Sequence, residues 1–558
     1  MKRVSVAILG LLLVLGLSTV AYAGPGSVVI KTEGDITATF GAQVRMIPTY
    51  EQDWDFGIAK KTNLPGAAIV TPASGSPACA PGGPTVIVVG CLLHSNEAGN
   101  VNKSYIRSED RLYFNFAKGD IWDVYINLEF DDVLSSRTAD RVRDVQGFFG
   151  TFGLEHLQAS VKLPWIYSRF NAGWIGYGVD QDLGVLIYLD DDPGFWLTGG
   201  VANFGWKIGY HKKLEANRTL QAVRGGTVIP NIVNTGSDND RDILSSRFDY
   251  TITKDTQVGL IFVWNAQHGA TANFVTADPC VGPTCPETDD YWISPFVKAS
   301  FAGFKFVAQY AHLWGDANKT RITNAAVTDI NNANYKIDSN AVFADLAFDL
   351  APWTGFRFIP HVGVWWTQGD KDPNDNKLEG YDGATAFQRF NPAFGGENTI
   401  IADGNTVYGT PLYSFFPDQR GNQNSGLAVG GTGQNGRGDN PGILIVGGGI
   451  TVDPIKNWTY RTNAMYLRYQ EKFCLTSPAG ACAPTSSGAP NLITSKDAGV
   501  EWDNEVLWWL DKNMVVKGQF SFLFPGDGIK QITKAIANNG TQPDDTAIRL
   551  ALEIIWNF

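Results

Sequence analysis

Apolar and polar residues alternate one by one along this sequence, and no other feature limits the possible folds as strongly. The strictest case follows Gly119, where apolar residues (Trp122, Val124, Ile126, Leu128, Phe130) alternate with polar ones (Asp123, Tyr125, Asn127, Glu129, Asp131). Successive side chains of a β-strand point to opposite faces, so this period predicts a strand with one apolar face. Similar stretches recur at 36–46, 204–210, 258–264, 342–350 and 520–524. The sequence therefore predicts an all-β fold.

The connections between these stretches are of two kinds. Eight are short: 118–120, around Pro164, 200–203, 254–256, 302–303, 351–354, 454–457 and 511–512. The others are long and polar, near 52–103, 132–152, 178–193, 214–241, 267–289, 315–338, 369–440, 471–496 and 525–545. Short turns that alternate with long loops are typical of an antiparallel up-and-down barrel in a membrane, with short periplasmic turns and long extracellular loops. Eight turns and two terminal stretches predict eighteen strands, with sixteen as the alternative because 178–203 is irregular.

A soluble β-sandwich is the alternative to a membrane barrel. It would need a second layer over each apolar face, and the sequence offers no amphipathic helix for this purpose. In lipid, strands persist only as a closed cylinder, because every backbone N–H and C=O must be paired. Tryptophans near strand ends would then form a girdle facing lipid: Trp54, Trp122, Trp264, Trp314, Trp365, Trp366, Trp508, Trp509 and Trp556. The net charge of −12 argues against a nucleic-acid partner, which requires a basic face.

The beginning of the chain and its cysteines indicate export. Lys2 and Arg3 precede an apolar run, and Ala21-Tyr22-Ala23 matches a cleavage site. We expect a signal peptide over 1–23 and one barrel domain over 24–558, with an uncleaved anchor as the alternative. The cysteines form three close pairs, which predict disulfides in an oxidising compartment: Cys79–Cys91, Cys280–Cys285 and Cys474–Cys482. CxxC and CxxCH motifs are absent, so no zinc site or covalent haem is expected, and we expect no cofactor.

The last segment carries a family resemblance. Its alternate positions are apolar and it ends on an aromatic residue, with Ile554, Trp556 and Phe558 on one face. This ending resembles the assembly signal of Gram-negative outer-membrane barrels, and together with the leader and the loop asymmetry the chain resembles a large outer-membrane porin. The resemblance implies a location in the outer membrane, recognition by the assembly machinery and a homotrimer. An enzyme is not expected, since HExxH and GxSxG motifs are absent.

A barrel of sixteen to eighteen strands encloses an aqueous channel. The alternation places charges of both signs in its lumen: Arg45, Arg107, Arg111, Arg247, Asp123, Glu129, Asp131, Glu501 and Asp503. This mixture predicts passive diffusion of ions and small hydrophilic solutes with weak selectivity. In general porins the third outer loop folds into the lumen. By resemblance, the acids of this loop would face Arg45, Arg107 and Arg111 across a constriction: Asp180, Asp182, Asp190, Asp191 and Asp192.

Three alternatives remain open at this stage. The channel could be substrate-specific, with lumen aromatics that guide a sugar. It could instead be a sheath that holds an outer-membrane electron-transfer cytochrome, which would require a wide and apolar lumen. Asp370 and Asp372 begin like a calcium loop, but Asp375 replaces the required Gly and Tyr381 the final Glu. We therefore expect no metal site, with calcium bridging at these acids as the remaining alternative.

Overall fold

The computed structural model describes residues 28–31, 35–53, 56–62, 103–134, 152–214, 223–224, 227–228, 241–268, 287–318, 334–372, 377–384, 440–474, 492–537 and 540–558. Eighteen antiparallel strands form one closed barrel. In chain order they are β1 (Ile36–Gln52), β2 (Lys103–Lys118), β3 (Trp122–Val133), β4 (Phe152–Leu163), β5 (Ser168–Trp174), β6 (Gly194–Val201), β7 (Phe204–Leu214), β8 (Arg241–Thr253), β9 (Thr256–His268), β10 (Glu287–Phe301), β11 (Phe304–Asn318), β12 (Asn334–Phe348), β13 (Phe358–Thr367), β14 (Ile443–Val452), β15 (Trp458–Tyr469), β16 (Asp497–Trp509), β17 (Met514–Pro525) and β18 (Ala547–Asn557).

The first and last strands pair with each other and close the sheet. Their register runs from Gln43 opposite Asn557 to Gln52 opposite Ile548. Beyond the end of β18, Ala42 and Phe558 exchange two backbone hydrogen bonds of 2.5 and 2.9 Å. The short segment Val28–Lys31 then pairs with the remaining part of β1. A closed sheet has no unpaired edge, which is the requirement for strands that cross a membrane.

The prediction of an up-and-down barrel of eighteen strands is confirmed. The eight predicted short turns join β2–β3, β4–β5, β6–β7, β8–β9, β10–β11, β12–β13, β14–β15 and β16–β17. The strand ends that the nine long connections join lie at the opposite end of the barrel, as strict up-and-down order requires. The signal peptide over 1–23 lies outside the described residues and stays a prediction.

The outer surface is apolar over the height of the strands. Leu260, Leu346 and Leu550 are each at least 40% exposed, and they lie on the faces that the alternation assigned to lipid. Sixteen strands have between 10 and 17 residues, which satisfies the ~9–11 residues a tilted strand needs to cross a bilayer. The barrel surface is thus that of a membrane-spanning protein.

Aromatic side chains cluster near both ends of the barrel. Trp165, Phe301 and Trp353 are exposed at the turn end, and Trp264, Tyr291 and Trp314 stack in a row near the loop end. Such girdles are typical of membrane barrels, where amphipathic rings favour the headgroup region. The expectation for Trp365 is wrong: its side chain is 4% exposed and faces inward. Adjacent residues of a strand point to opposite faces, so Trp366 alone takes the lipid side.

The described part of the chain includes three short α-helices beside the strands: α1 (Ile58–Thr62), α2 (Ala351–Thr354) and α3 (Asp527–Ala537). Within the described residues, none of the helices has the length and apolar character needed to cross a membrane. Helix α3 is amphipathic and buries Ile529, Ile532 and Ala535 against the loop end of β16. Lys61 of α1 pairs with Asp544 and Asp545, each at 2.7 Å.

Candidate functional site

The inner faces of the strands line the lumen, and the third long connection contacts this lining on one side. This connection, residues 175–193 between β5 and β6, is called the inserted loop below. Gln309 of β11 binds it twice: its Oε1 accepts the Gly184 N–H at 3.0 Å, and its Nε2 donates to Asp180 Oδ2 at 3.0 Å. Gln309 faces inward and is 2% exposed. The resemblance implied a loop inside the lumen, and these contacts place it against the inner face of the barrel wall.

Apolar packing holds the inserted loop to the strands from β8 to β12. Leu183, Leu186, Ile187 and Tyr188 are each 5% exposed or less. The wall beneath them carries apolar residues on its inner face, which a water-filled bore would disfavour: Ile243, Ile261, Val263, Trp292, Phe296, Leu313 and Phe343. Burying one large apolar side chain contributes ~1.5–3 kcal/mol, so the four loop residues anchor the loop strongly. Apolar residues on both faces of β8–β12 are the sequence signal that locates this contact.

A segment of the seventh long connection covers the inserted loop from the other side. Tyr381 Oη donates to the Leu186 carbonyl at 2.9 Å, and the Ala384 N–H donates to the Ile187 carbonyl at 2.8 Å. Arg241 of β8 in turn donates to the Ala384 carbonyl at 2.5 Å. The contacts of Tyr381 and Ala384 with the inserted loop join residues almost 200 positions apart, so neither alternation nor strand register predicts them.

The acids of the inserted loop find basic partners on the wall. Asp182 accepts from Arg247 Nη2 at 3.1 Å and from Lys298 Nζ at 2.6 Å. Lys213 pairs with Asp190 and, at 2.9 Å, with Asp192. Asp191 Oδ1 lies 3.2 Å from His156 Nε2 on β4. The loop acids thus contact Arg247, Lys298, Lys213 and His156, and Arg45, Arg107 and Arg111 pair elsewhere.

These environments shift the loop acids in different directions. Burial acts to raise the pKa of Asp182, but hydrogen bonds and charge from Arg247 and Lys298 outweigh it and hold the pKa well below its usual range. Burial raises the pKa of Asp192 to about 6, although Lys213 opposes the rise. Burial also raises the pKa of Asp180, despite the hydrogen bond from Gln309 and backbone N–H groups. Asp182 therefore carries the firmest negative charge of the three.

The opposite wall carries a continuous row of charges that alternate in sign, which we call the charge ladder. Its eight members, in order around the barrel, are Arg461, Glu505, Lys517, Glu553, Arg45, Glu109, Arg111 and Glu129. Among its ion pairs, Arg45 Nη1 lies 2.6 Å from Glu109 Oε2, and Arg111 Nη2 lies 2.7 Å from Glu129 Oε1. Arg107 lies 3.6 Å from Glu109 and adds to the row. The ladder spans β15 to β3 and crosses the seam between β18 and β1.

Three of the seven ladder pairs follow directly from strand register. Arg461 is opposite Glu505, Lys517 opposite Glu553, and Arg111 opposite Glu129. Directly opposed side chains on one face lie ~4.5–5.5 Å apart at Cβ, so opposite charges there stabilise the sheet. The self-pairing leaves no large excess of either sign on this wall. Arg111 remains 28% exposed at its side chain and Arg461 23%, so both retain contact with the bore.

The other predicted lumen residues have varied positions. Asp123 pairs with Arg169 near the turn end and accepts from Ser160 Oγ at 2.6 Å. Glu501 and Asp503 face inward from β16 and are buried. Asp131 lies in β3 opposite Glu109, and its side chain is outside the described residues. The cation and the histidine most relevant to the inserted loop, Lys298 and His156, were not among the predicted site residues.

The remaining predictions concern outer connections. Asp370 accepts the N–H of Asp372 at 3.0 Å and of Glu379 at 3.3 Å, which is the pattern of a turn. Part of the suspected calcium loop, 373–376, lies outside the described residues. Five of the six cysteines also lie outside them, and nothing described tests the three disulfides, which stay predictions.

Searches for related proteins add a likeness of shape. No family model matches the chain, and no curated protein matches it. Solved outer-membrane proteins of Pseudomonas aeruginosa match along most of the chain. OpdO shows 9% identity and a TM-score of 0.44 over 93% of this chain and 97% of its own. OpdK shows 9% identity and a TM-score of 0.42 over 93% and 98%. Vibrio cholerae OmpT, as a loop L8 deletion mutant, matches at 9% identity and a TM-score of 0.35 over 94% and 100%. Likeness this distant identifies no solute for this chain.

Proposed function

We propose that this protein is an outer-membrane porin, a water-filled channel for passive diffusion of ions and small hydrophilic solutes. One observation supports this most directly: charged side chains on two facing walls keep contact with solvent inside the barrel. Asp182 and Lys298 on the loop side are 38% and 34% exposed at their side chains, and Arg111 on the ladder is 28% exposed. Charged side chains within a membrane pair with one another or face a water-filled cavity, and partly exposed ones indicate such a cavity.

The two walls would act together on a passing solute. The solvent-exposed cations of the ladder, such as Arg111, and the negatively charged Asp182 of the inserted loop would set up a field across the bore. Such a field favours small polar solutes over apolar ones of the same size, since a dipole gains energy by aligning with it. We propose that Asp182, Asp191, Arg45, Arg107 and Arg111 line the constriction in this way.

Two other functions are less well supported. A cytochrome sheath needs a lumen free for its partner, whereas the inserted loop occupies part of the lumen here. A substrate-specific channel would use the same walls, with solute groups matched to Arg111 and Asp182. We retain it as the second candidate because both side chains keep solvent contact inside the barrel, Asp182 at 38% and Arg111 at 28% exposure.

The homotrimer and the recognition by the assembly machinery belong to the same proposal. Phe558 is 54% exposed at the barrel surface, and Leu550 and Leu552 precede it on the same face. We propose that the insertion machinery recognises this apolar face of β18, with Ile554, Trp556 and Phe558, before the barrel closes.

Conductance across a planar bilayer tests the proposal. The refolded protein should give ohmic, nanosiemens-scale steps, in groups of three for a trimer. Saturation of the current block by one solute would favour the substrate-specific channel. The absence of conductance from protein that is heat-modifiable, and hence folded, would contradict both.

A further inference from the structure

One cluster in the lumen has a composition that the proposed channel does not require. The side chains of Glu155, His156 and Asp191 converge where the inserted loop meets β4, with their nearest ligand atoms all within 4.8 Å of one another. His156 Nε2 lies 3.2 Å from Asp191 Oδ1 and 3.8 Å from Glu155 Oε1. Across the described part of the chain, no other such group of three histidine, cysteine or acidic side chains occurs.

A β-bulge in β4 brings the two neighbouring residues to one face. His156 pairs with Asn127, but the next pair on β3 is Leu128 with Leu154, so Glu155 is the extra residue. In a regular strand Glu155 and His156 would point to opposite faces, and one would enter lipid. Bulges re-aim side chains in this way and are common beside functional sites. The charged Glu155 and the imidazole therefore both face the lumen.

The spacing suits a metal ion. Bonds of ~2.0–2.2 Å to nitrogen and oxygen in tetrahedral geometry place ligand atoms roughly 3.4 Å apart. The two separations at His156 Nε2 lie on either side of this value. Glu129 also adjoins Glu155, so three carboxylates gather at this point and Arg111 is the cation beside them. A divalent cation would relieve their mutual repulsion.

An independent observation comes from Asn127, whose side chain is 1% exposed. Its Nδ2 lies 3.3 Å from His156 Nδ1, while its buried Oδ1 has no hydrogen-bond partner among the described residues. The two ends of an amide are interchangeable in such an assignment. With the amide turned, His156 Nδ1–H donates to Asn127 Oδ1 and the buried oxygen is satisfied. A metal-binding histidine uses this same arrangement, with the second nitrogen left free as the ligand.

We propose that Glu155, His156 and Asp191 bind a divalent transition-metal ion of the Zn²⁺ type. Imidazole together with carboxylates selects such ions over Ca²⁺ and Mg²⁺, which prefer oxygen alone. The side chains are 18–34% exposed, so an ion in the bore reaches them. Bound metal would tie the end of the inserted loop to β4, opposite its anchor at Arg247.

The experiment measures Co²⁺ absorption and Zn²⁺ calorimetry on refolded protein in detergent, without a polyhistidine tag. One ion should bind per chain, and His156→Gln and Asp191→Asn should each weaken binding by more than tenfold. His312→Gln is the matched control, since His312 is half-exposed with a single carboxylate 4.0 Å away, and it should leave affinity unchanged.

Asn127 separates metal binding from an ordinary ion pair. Asn127→Asp keeps an acceptor for His156 Nδ1–H and should preserve affinity, whereas Asn127→Ala should reduce it ~10–100-fold. Absence of saturable binding in the folded wild type would overturn the proposal, because a doubly protonated His156 would then satisfy Asn127 and Asp191 by itself. Equal affinity for Ca²⁺ and Zn²⁺ would overturn it too.

A second readout rests on the proposed function. Zn²⁺ added to a bilayer should shift the reversal potential toward anions, and His156→Gln should abolish the shift. Co²⁺ and Zn²⁺ binding are measured without a membrane. If the ion binds but the reversal potential does not change, the proposed constriction is contradicted and the metal site is not.

Discussion

Both walls of the lumen pair their buried polar and charged groups, but they do so by different means. The charge ladder satisfies its buried charges within the sheet, through pairs that strand register creates between neighbours. The wall from β8 to β12 satisfies its polar groups through a loop that arrives from a distant part of the chain. The first wall is a property of the barrel, whereas the second is a property of how the loop docks. Removal of a buried ladder partner should therefore lower the stability of the barrel, whereas removal of a docking contact should alter the behaviour of the channel and leave the barrel intact.

The largest effect on stability should follow removal of Glu553 from the ladder. This residue is 1% exposed and lies between Arg45 and Lys517. Glu553→Ala leaves two buried cations without their shared partner, so we expect a loss of ~3–5 kcal/mol in free energy of unfolding. Urea titration of the protein in lipid vesicles measures it. Glu471→Ala, which breaks the half-exposed pair with Lys496, should cost less than ~1 kcal/mol. An equal loss of unfolding free energy in Glu553→Ala and Glu471→Ala would contradict the expected difference between the buried and the half-exposed pair.

On the other wall, Asp180→Ala should free the inserted loop and leave the barrel intact. Asp180 is fully buried and accepts from Gln309 Nε2 at 3.0 Å and from the N–H groups of Ile187 and Tyr188. Each donor left unpaired costs ~1–3 kcal/mol, so loop opening should become more frequent by at least tenfold. Channel noise and proteolysis within the loop report the opening, and Asp372→Ala in another connection serves as control. If Asp180→Ala destabilised the barrel and left loop opening unchanged, Asp180 would support the barrel and not the docking of the inserted loop.

Charge reversal on the ladder tests its role in selectivity. Replacing Arg107 and Arg111 with Glu should shift the pore toward cations, since both side chains face the lumen and Arg111 keeps solvent contact. We expect a several-fold change in the permeability ratio, read from the reversal potential in a salt gradient. Arg357→Glu, at the turn end beside Asp453, should change it less. An unaltered reversal potential would remove these arginines from the constriction.

The smallest effect should be a pH dependence of loop docking. The pKa of Asp192 is raised to about 6 in the folded protein, so between ~4 and 6 the docked loop binds a proton that the free loop does not. Docking therefore strengthens as pH falls through this window, and Asp180 acts in the same direction. Asp182, with a lowered pKa, loses its pairing only at more acidic pH. Channel noise should decrease from pH 7 to pH 5, and Asp192→Asn should flatten that trend.

The sequence predicts the two walls unequally, for a physical reason. Alternation predicts which face a strand residue takes, and it assigns Arg45, Glu129 and Arg247 to the inner face. Pairing across adjacent strands needs only the register, and the ladder lies close to what alternation implies. Lys298 and Gln309 have inward positions by the same rule, but only the fold brings the inserted loop to them. Glu155 departs from the alternation because the bulge turns it to the same face as His156, and only the fold brings Asp191 to this pair.

The seam between β1 and β18 has a consequence for how the molecule is built. Gln43 Nε2 donates to Asn557 Oδ1 across 514 positions of sequence, and the final residue completes the backbone pairing at Ala42. Contacts between residues so distant along the chain form slowly, because nearly the whole polypeptide must lose conformational entropy before these contacts contribute to stability. Biogenesis should thus end with a single zipping event at this seam. Trimming even a few C-terminal residues should produce an open, aggregation-prone sheet and not a smaller cylinder.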